Sequence, residues 1–389
     1  MIRAKVSGSQ TLALLDRVRS LKASGKDIVS FAAGEADFPT PTPVVEEAIR
    51  QMKAGNTRYV STWGSERLRA AIAKDYKERL GVSWIGPDNV LPAFGAKQAI
   101  YLTLAALLEP GDEVLIPRPY WVSYPGIVKA SNGRPVEVAT QEANDFFPTV
   151  TELEAAATER TKALIFSSPS NPLGTMITRE ALQDIVDWGR NRGVVLIFDE
   201  IYERLVLDLK REHVCPLSLG REAELDGVVC VNASSKSLAM TGWRLGYVVS
   251  TRTNIDALRP LQGQMITCLP GFVQEAGAAG LEQVDQLLPP IIENYRRRLK
   301  IITDGLERMP ELRFVRPAGA FYVAVDVQAI MTKKKFRSDV DFAERLLQQE
   351  LLAVLPGTSM GMPGWIRLSF ATSDDEIRKG LQRLAKFIA

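Results

Sequence analysis

Short, mostly apolar runs punctuate the middle of the chain at Glu113 to Ile116, Ala163 to Phe166, Val194 to Phe198, Val228 to Val231 and Tyr247 to Val249, with longer stretches of helical periodicity between them. Runs that do not alternate polar with apolar bury both faces, so they predict parallel strands covered by helices on either side. The expected class is therefore α/β, a large domain with a mostly parallel sheet covered by helices. After Val90-Leu91-Pro92-Ala93-Phe94, the residues Gly95-Ala96-Lys97-Gln98 open a helical pattern over Ala99 to Leu108. Toward the C-terminus, Gly319 to Val325 and Trp365 to Phe370 read as strands, and Val340 to Leu351 as a helix. Ser373-Asp374-Asp375-Glu376 matches a capping box before a final amphipathic helix, which makes this a separate, smaller α+β unit. A helical pattern from Val284 to Met309 connects the two units, and Pro289-Pro290 predicts a break or a start within it.

Three of the apolar runs end in polar groups. Ala163 to Phe166 leads into Ser167-Ser168-Pro169-Ser170-Asn171-Pro172, Val194 to Phe198 into Asp199-Glu200-Ile201-Tyr202, and Val228 to Val231 into Asn232-Ala233-Ser234-Ser235-Lys236. Ligands of open α/β sheets bind beyond the carboxyl ends of the strands, so one shared site at these three ends is expected. Periodicity does not say whether the strands are neighbours. A lysine in a polar turn at such an end can form a Schiff base with an aldehyde cofactor. Arg244, eight residues beyond Lys236, can hold a phosphate with its fork of donors. Small residues at the helix start Gly95-Ala96 let backbone N–H groups approach an anion.

Composition narrows the field. The chain has 389 residues, 46% hydrophobic and 24% charged, enough for a large core and two domains. Lys plus Arg number 48 against 46 Asp plus Glu, and the signs are interspersed, so no nucleic-acid surface is indicated. The one basic run, Lys333-Lys334-Lys335, reads as a solvated loop. Three cysteines without a C-x-x-C pair make no disulfide framework and fit a reducing cytoplasm. The N-terminus lacks an apolar stretch of about 7–15 residues after its charges, and no apolar run approaches the ~18 residues of a membrane span. His213 is the sole histidine, which argues against a Ser-His-Asp triad and excludes a histidine-rich metal site. In the polar stretch Lys210-Arg211-Glu212-His213 it reads as a surface residue.

The motifs fall in an order that resembles the class I (fold type I) pyridoxal-phosphate-dependent aminotransferases, most closely their bacterial aspartate aminotransferase branch. The resemblance runs from about residue 7 to the C-terminus and rests on several segments. These are Phe31-Ala32-Ala33-Gly34-Glu35-Ala36-Asp37-Phe38-Pro39, Thr57-Arg58-Tyr59, Pro119-Tyr120-Trp121-Val122-Ser123-Tyr124-Pro125, Asn232 to Tyr247, and Trp365-Ile366-Arg367-Leu368-Ser369. It implies a large cofactor domain over residues 45–290, with residues 1–44 and 291–389 forming a smaller domain that closes over the substrate. It further implies pyridoxal 5′-phosphate as cofactor, no metal, a homodimer with shared active sites, and amino-acid and 2-oxo-acid substrates.

The resemblance gives each matching residue a role. Lys236 would carry the cofactor and then the proton; Asp199 would keep the ring nitrogen protonated, because the cofactor acts as an electron sink. Asn171 and Tyr202 would bond the ring hydroxyl, and Trp121 would stack on the ring. Gly95, Ala96, Ser235 and Arg244 would cradle the phosphate, with Tyr59 reaching it from the neighbouring subunit. Arg367 would bind the substrate α-carboxylate beside Gly34, and Lys97 the side-chain carboxylate of aspartate or glutamate. Read without the resemblance, Asp199 is a structural carboxylate, Asn171 a turn former, Tyr202 a half-buried aromatic and Arg367 an exposed residue on an edge strand. Two departures stand out. The family often has serine where this chain has Ala233, and Gln262 to Pro270 lacks the polar pattern through which the aspartate branch contacts substrate across the dimer. The expected reaction is ping-pong transfer of an amino group from an acidic amino acid. The alternative is another pyridoxal-phosphate reaction on the same scaffold, such as an aromatic or prephenate aminotransferase, a β-lyase, a decarboxylase or a cyclase. A ligand-sensing domain or an inactive scaffold is disfavoured, the first by the lack of a basic helix-turn-helix extension.

Overall fold

The computed structural model describes residue 8 and residues 10–389. The smaller domain's expected first residues, 1–7 and 9, thus lie outside the described residues. A short strand, β1 (Val29–Ser30), precedes the central sheet, which comprises β2 (Val90–Ala93), β3 (Glu113–Pro117), β4 (Arg134–Val138), β5 (Thr161–Ser167), β6 (Val195–Asp199), β7 (Val228–Ala233) and β8 (Gly246–Ser250). Its strand order is β2-β8-β7-β6-β5-β3-β4. All neighbours are parallel except β8, which runs antiparallel to both β2 and β7. The apolar run Tyr247 to Val249 was expected to be parallel. Burial on both faces produces the same pattern in either direction, so the pattern cannot encode polarity.

Alternation places the core on both faces. Leu164, Phe166, Leu196, Phe198, Val228 and Cys230 pack on one side, and Ala163, Ile165, Ile197, Val229 and Val231 on the other. The helix Ala96–Leu107 covers the second side. The register sets Ser167 opposite Asp199 and Asp199 opposite Val231, so the ends of β5, β6 and β7 are adjacent. The three polar strand ends therefore do meet.

A second, four-stranded antiparallel sheet has the order β12-β13-β10-β9, with β9 (Arg313–Phe314), β10 (Tyr322–Asp326), β12 (Leu355–Pro356) and β13 (Trp365–Ser369), while β11 (Leu352–Ala353) pairs with β1. Its core joins Phe321, Val323, Ile366 and Leu368 to Ile377 and Leu384 of the last helix, and Tyr202, Leu205 and Leu207 reach into it from the segment after β6. The last helix starts as predicted, with Ser373 Oγ accepting from the Glu376 N–H at 3.3 Å.

Two local expectations are corrected. The helix Val284–Glu307 runs through Pro289 and Pro290 without a break. The carbonyls that lose an i+4 N–H partner to the prolines are those of Asp285 and Gln286, whose residues are exposed, so the loss falls on the solvent side of the helix. Lys333 and Lys334 are not in a loop but end the helix Gln328–Lys334, where cations suit the carbonyl terminus, and Lys334 Nζ donates to the Phe387 carbonyl at 2.8 Å. No described helix is long and apolar enough to cross a membrane.

Candidate active site

A cavity of roughly 330 Å³ opens over the ends of β5, β6 and β7, within the range of small-ligand sites. Its wall brings together Gly34, Ala96, Lys97, Trp121, Asn171, Asp199, Tyr202, Ser235, Lys236, Arg244 and Arg367. Gly95 lies immediately behind, against Arg244, and Tyr59 stands apart, 87% exposed. The wall also includes residues that the sequence reading did not single out for the site: Leu15, Arg19, Glu35, Tyr124, Ser167, Ile201, Thr241 and Tyr322.

Strand alternation decides which carboxylate enters the cavity. Asp199 ends β6 on the side of Ile197, whereas Glu200 turns to the side of Phe198. Asp199 Oδ2 accepts from the Tyr124 hydroxyl at 2.8 Å and Oδ1 from the Ile201 N–H at 3.1 Å. Burial nevertheless pushes its pKa up to about 6, against the pull of those two donors and of Lys236. Lys236 sits in the one-turn helix Ser234–Ser237 directly after β7, and its Nζ donates to the Gly34 carbonyl at 2.5 Å. Burial pushes its pKa down to about 8; Glu35 and Asp199 oppose this shift, and Arg367 and Arg244 reinforce it. Each partner of this pair is thus held close to the point of losing its charge.

Arg367 is not on an edge. It lies on β13 between β12 and β10, 2% exposed. Nη1 donates to Asn171 Oδ1 at 3.0 Å and Nη2 to the Ala32 carbonyl at 2.8 Å, while the buried Nε has no partner. The guanidinium lies 4.2 Å from the centroid of the Tyr322 ring, whose hydroxyl shares a 2.8 Å bond with that of Tyr202. No carboxylate pairs with Arg367 among the described residues, so a buried charge lacks its counter-ion. Such a charge is costly unless an anionic ligand completes it.

A second anion cradle lies at the start of the helix Ala96–Leu107. Gly95, at φ 80°, caps the helix, and a Cβ there would stand 2.4 Å from Arg244 Nη2. A Cβ on Gly246 would meet the Gly95 carbonyl carbon at 2.6 Å. Both glycines are needed for this close approach of Arg244 and β8 to the helix end. Arg244 Nη1 is oriented by the Thr241 carbonyl at 2.9 Å. Ser234 Oγ is buried without a partner nearby, and Lys97 Nζ lies over Trp121, 5.0 Å from the ring centroid. Partial burial and the Arg244 charge both lower the Lys97 pKa.

His213 also departs from its expected place. Its side chain is only 3% exposed, and Nε2 lies 2.8 Å from Glu200 Oε1, on the sheet face opposite the cavity. The Tyr76 hydroxyl donates to Glu200 Oε2 at 2.7 Å, and the thiols of Cys215 and Cys230 lie 3.9 Å apart beside it. Burial pushes the Cys215 thiol up to about 11, and none of Cys215, Cys230 and Cys268 is in a disulfide.

A lysine and a carboxylate at adjacent strand ends, an anion cradle at a helix start and a buried arginine from a second sheet define a group-transfer enzyme of the aminotransferase type. Comparison with known proteins makes the assignment specific. The family of class I and II aminotransferases matches residues 26–384, and the chain belongs to it. It is 36% identical to an aspartate aminotransferase of Streptomyces avermitilis, covering 99% of this chain and 95% of that one. It is 37% identical to an aspartate/prephenate aminotransferase of Thermus thermophilus, covering 98% and 96% respectively. Among solved structures, the aspartate aminotransferase of Thermus thermophilus with maleate superposes with a TM-score of 0.92 at 35% identity, covering 99% of this chain and 100% of that one. The protein is an aminotransferase.

Proposed function

We propose that this aminotransferase moves the amino group of an acidic amino acid, aspartate or glutamate, to a 2-oxo acid in a ping-pong cycle that uses pyridoxal 5′-phosphate. The observation that carries this reading is the convergence of Lys236, Asp199 and the unpaired Arg367 on one cavity. The residues present fit that cofactor: Gly95 and Gly246 bring Arg244 close to the helix start, Ser235 lines the same cavity, and Trp121 offers a flat apolar face. When bound, the cofactor supplies an electron sink for the bond pair released at the substrate α-carbon.

The chain's own groups do the rest. Asp199 holds a proton on the ring nitrogen; Asn171 and Tyr202 bond the ring hydroxyl, with Tyr202 held in place by Tyr322. Gly95, Ala96, Ser235 and Arg244 take the phosphate. The Lys236 amine, neutral above about pH 8, would accept and hand on the proton at the substrate α-carbon. Arg367 clamps the α-carboxylate beside Gly34, each charged bond contributing roughly 1.5–3 kcal/mol. Lys97 receives the side-chain carboxylate.

Residues 45–290 are proposed to hold the cofactor while 1–44 and 291–389 close on the substrate, in keeping with the separate core around β10 and β13. A homodimer is proposed from the exposure of Tyr59, Phe94 and Met265, which a second subunit would cover, bringing Tyr59 to the partner's phosphate site. The test is spectroscopic. Purified protein should carry a cofactor absorption band that shifts on adding aspartate or glutamate and recovers with a 2-oxo acid. Release of pyruvate and ammonia with no oxo acid required would replace transamination by β-elimination, and the absence of any chromophore would overturn the reading.

A further inference from the structure

The wall of the cavity holds more cations than the proposed reaction uses. The lining includes Arg19, Lys97, Lys236, Arg244 and Arg367 but only two carboxylates, Asp199 and Glu35, while Asp16 lies beside Arg19 outside that lining. Glu35 accepts from Thr241 Oγ1 at 3.2 Å and supports the Lys236 charge. With Lys236 and Asp199 assigned to the ring, Arg244 to the phosphate and Arg367 to the α-carboxylate, Lys97 and Arg19 remain. A single side-chain carboxylate needs only one of them.

We propose that Arg19 is a specificity residue that receives the distal carboxylate of substrates longer than glutamate, with Lys97 serving aspartate and glutamate. This rests on the reading given under Proposed function. Lys97 directly follows Ala96 of the anion cradle and is pinned over Trp121, so it serves the near position. Arg19 comes from the first helix, Gln10–Ala23, and reaches the cavity from the rim. That helix is anchored through Val18, with Leu14 and Leu21, on Ile28, Leu347 and Ala353, which sets Leu15 and Arg19, one turn apart, on a neighbouring face. Leu15 then offers the extra methylenes of a longer side chain an apolar surface. Among the described residues Arg19 bonds to Asp16, at 3.0 Å, and the two side chains are 70% and 71% exposed. Such a surface pair is worth roughly 0–1 kcal/mol, so it does not hold Arg19 back from a ligand carboxylate.

The experiment titrates succinate, glutarate and adipate calorimetrically into the holoenzyme and its Arg19→Gln and Lys97→Gln variants, with the aspartate and 2-aminoadipate half-reactions followed in parallel. Arg19→Gln should lower the ratio of adipate to succinate affinity by about tenfold or more, the scale of one charged hydrogen bond, and Lys97→Gln should raise it. An equal loss for all three diacids would show mere attraction by net charge and overturn the assignment. So would an unaltered ratio. Diacid binding with the predicted length dependence but no amino transfer would leave Arg19 its role and remove the reaction instead; transfer with no length dependence would do the reverse.

Discussion

Two faces of the same sheet treat buried charge in opposite ways. On one, Glu200 receives both Tyr76 and His213, and nearby Asp75, Arg79, Glu203 and Arg204 form a closed ion network: Arg204 Nη2 meets Asp75 at 2.6 Å and Arg79 Nη1 meets Glu203 at 2.7 Å. On the other, one residue along the chain, Asp199 is pushed up to about 6 and Lys236 down to about 8, and Arg367 has no counter-ion. On the first face the buried charges meet partners from the protein itself, although His213 Nδ1 is left without a hydrogen bond. The second is left wanting charge and donors where a ligand is to arrive, so it gives up stability in exchange for function.

Removing Lys236 breaks this contrast most severely. Lys236→Ala should lower turnover by at least about 10³-fold, as expected of a proton carrier that also anchors the cofactor, and the lysine-dependent absorption band should vanish. An active variant with an unaltered spectrum would be fatal to the assignment. Asp199→Asn comes next, with turnover down by at least about 10²-fold in steady-state assays. Its effect on the apoprotein has the opposite sign. Asp199 is raised from 3.8 to about 6, so its contribution to stability is present below pH 4 and lost as the pH rises through 6. The asparagine variant should therefore melt higher than wild-type apoprotein at pH 7 in scanning calorimetry; a lower melting temperature would refute the penalty assigned to this carboxylate.

On the satisfied face, Tyr76→Phe should do the reverse: a stability loss of about 1–3 kcal/mol from a buried carboxylate deprived of a donor, read from denaturant unfolding, while turnover stays within about threefold. A large fall in turnover at unchanged stability would blur the two faces into one. The finest effect concerns pH. Uptake of pyridoxal 5′-phosphate by the apoprotein needs the neutral Lys236 amine, so its rate should climb with pH and level off above about 8. Asp199→Asn, which removes an anion that favours the charged amine, should move that rise to lower pH. A profile centred near the ordinary lysine value of 10.5 would contradict the burial assigned to Lys236.

The sequence carried much of this, and the misses share a cause. Strand runs, helix starts and the polar ends at Asn171, Asp199 and Lys236 are local signals, readable from periodicity and punctuation. The direction of β8, the interior position of β13 and the inward turn of His213 depend on partners far along the chain. Charged neighbours at 210–212 made His213 look solvated, while its actual partner lies in another element. Tyr124 and Tyr322 stood within segments already quoted but were given no role of their own. Their hydroxyls were the available clue, since a buried tyrosine must find a partner, and these find Asp199 and Tyr202. Arg19 had no signal beyond its charge, because nothing in the sequence of its helix states what that face overlooks.

Being the chain's single imidazole, His213 offers a natural probe of the sheet from behind. Its ring touches Glu200, the very next residue after the carboxylate that faces the cavity. The imidazole signals of a 15N-enriched sample, free of overlap from any other histidine, would therefore report on the catalytic strand throughout a turnover without standing in the way of any reactant.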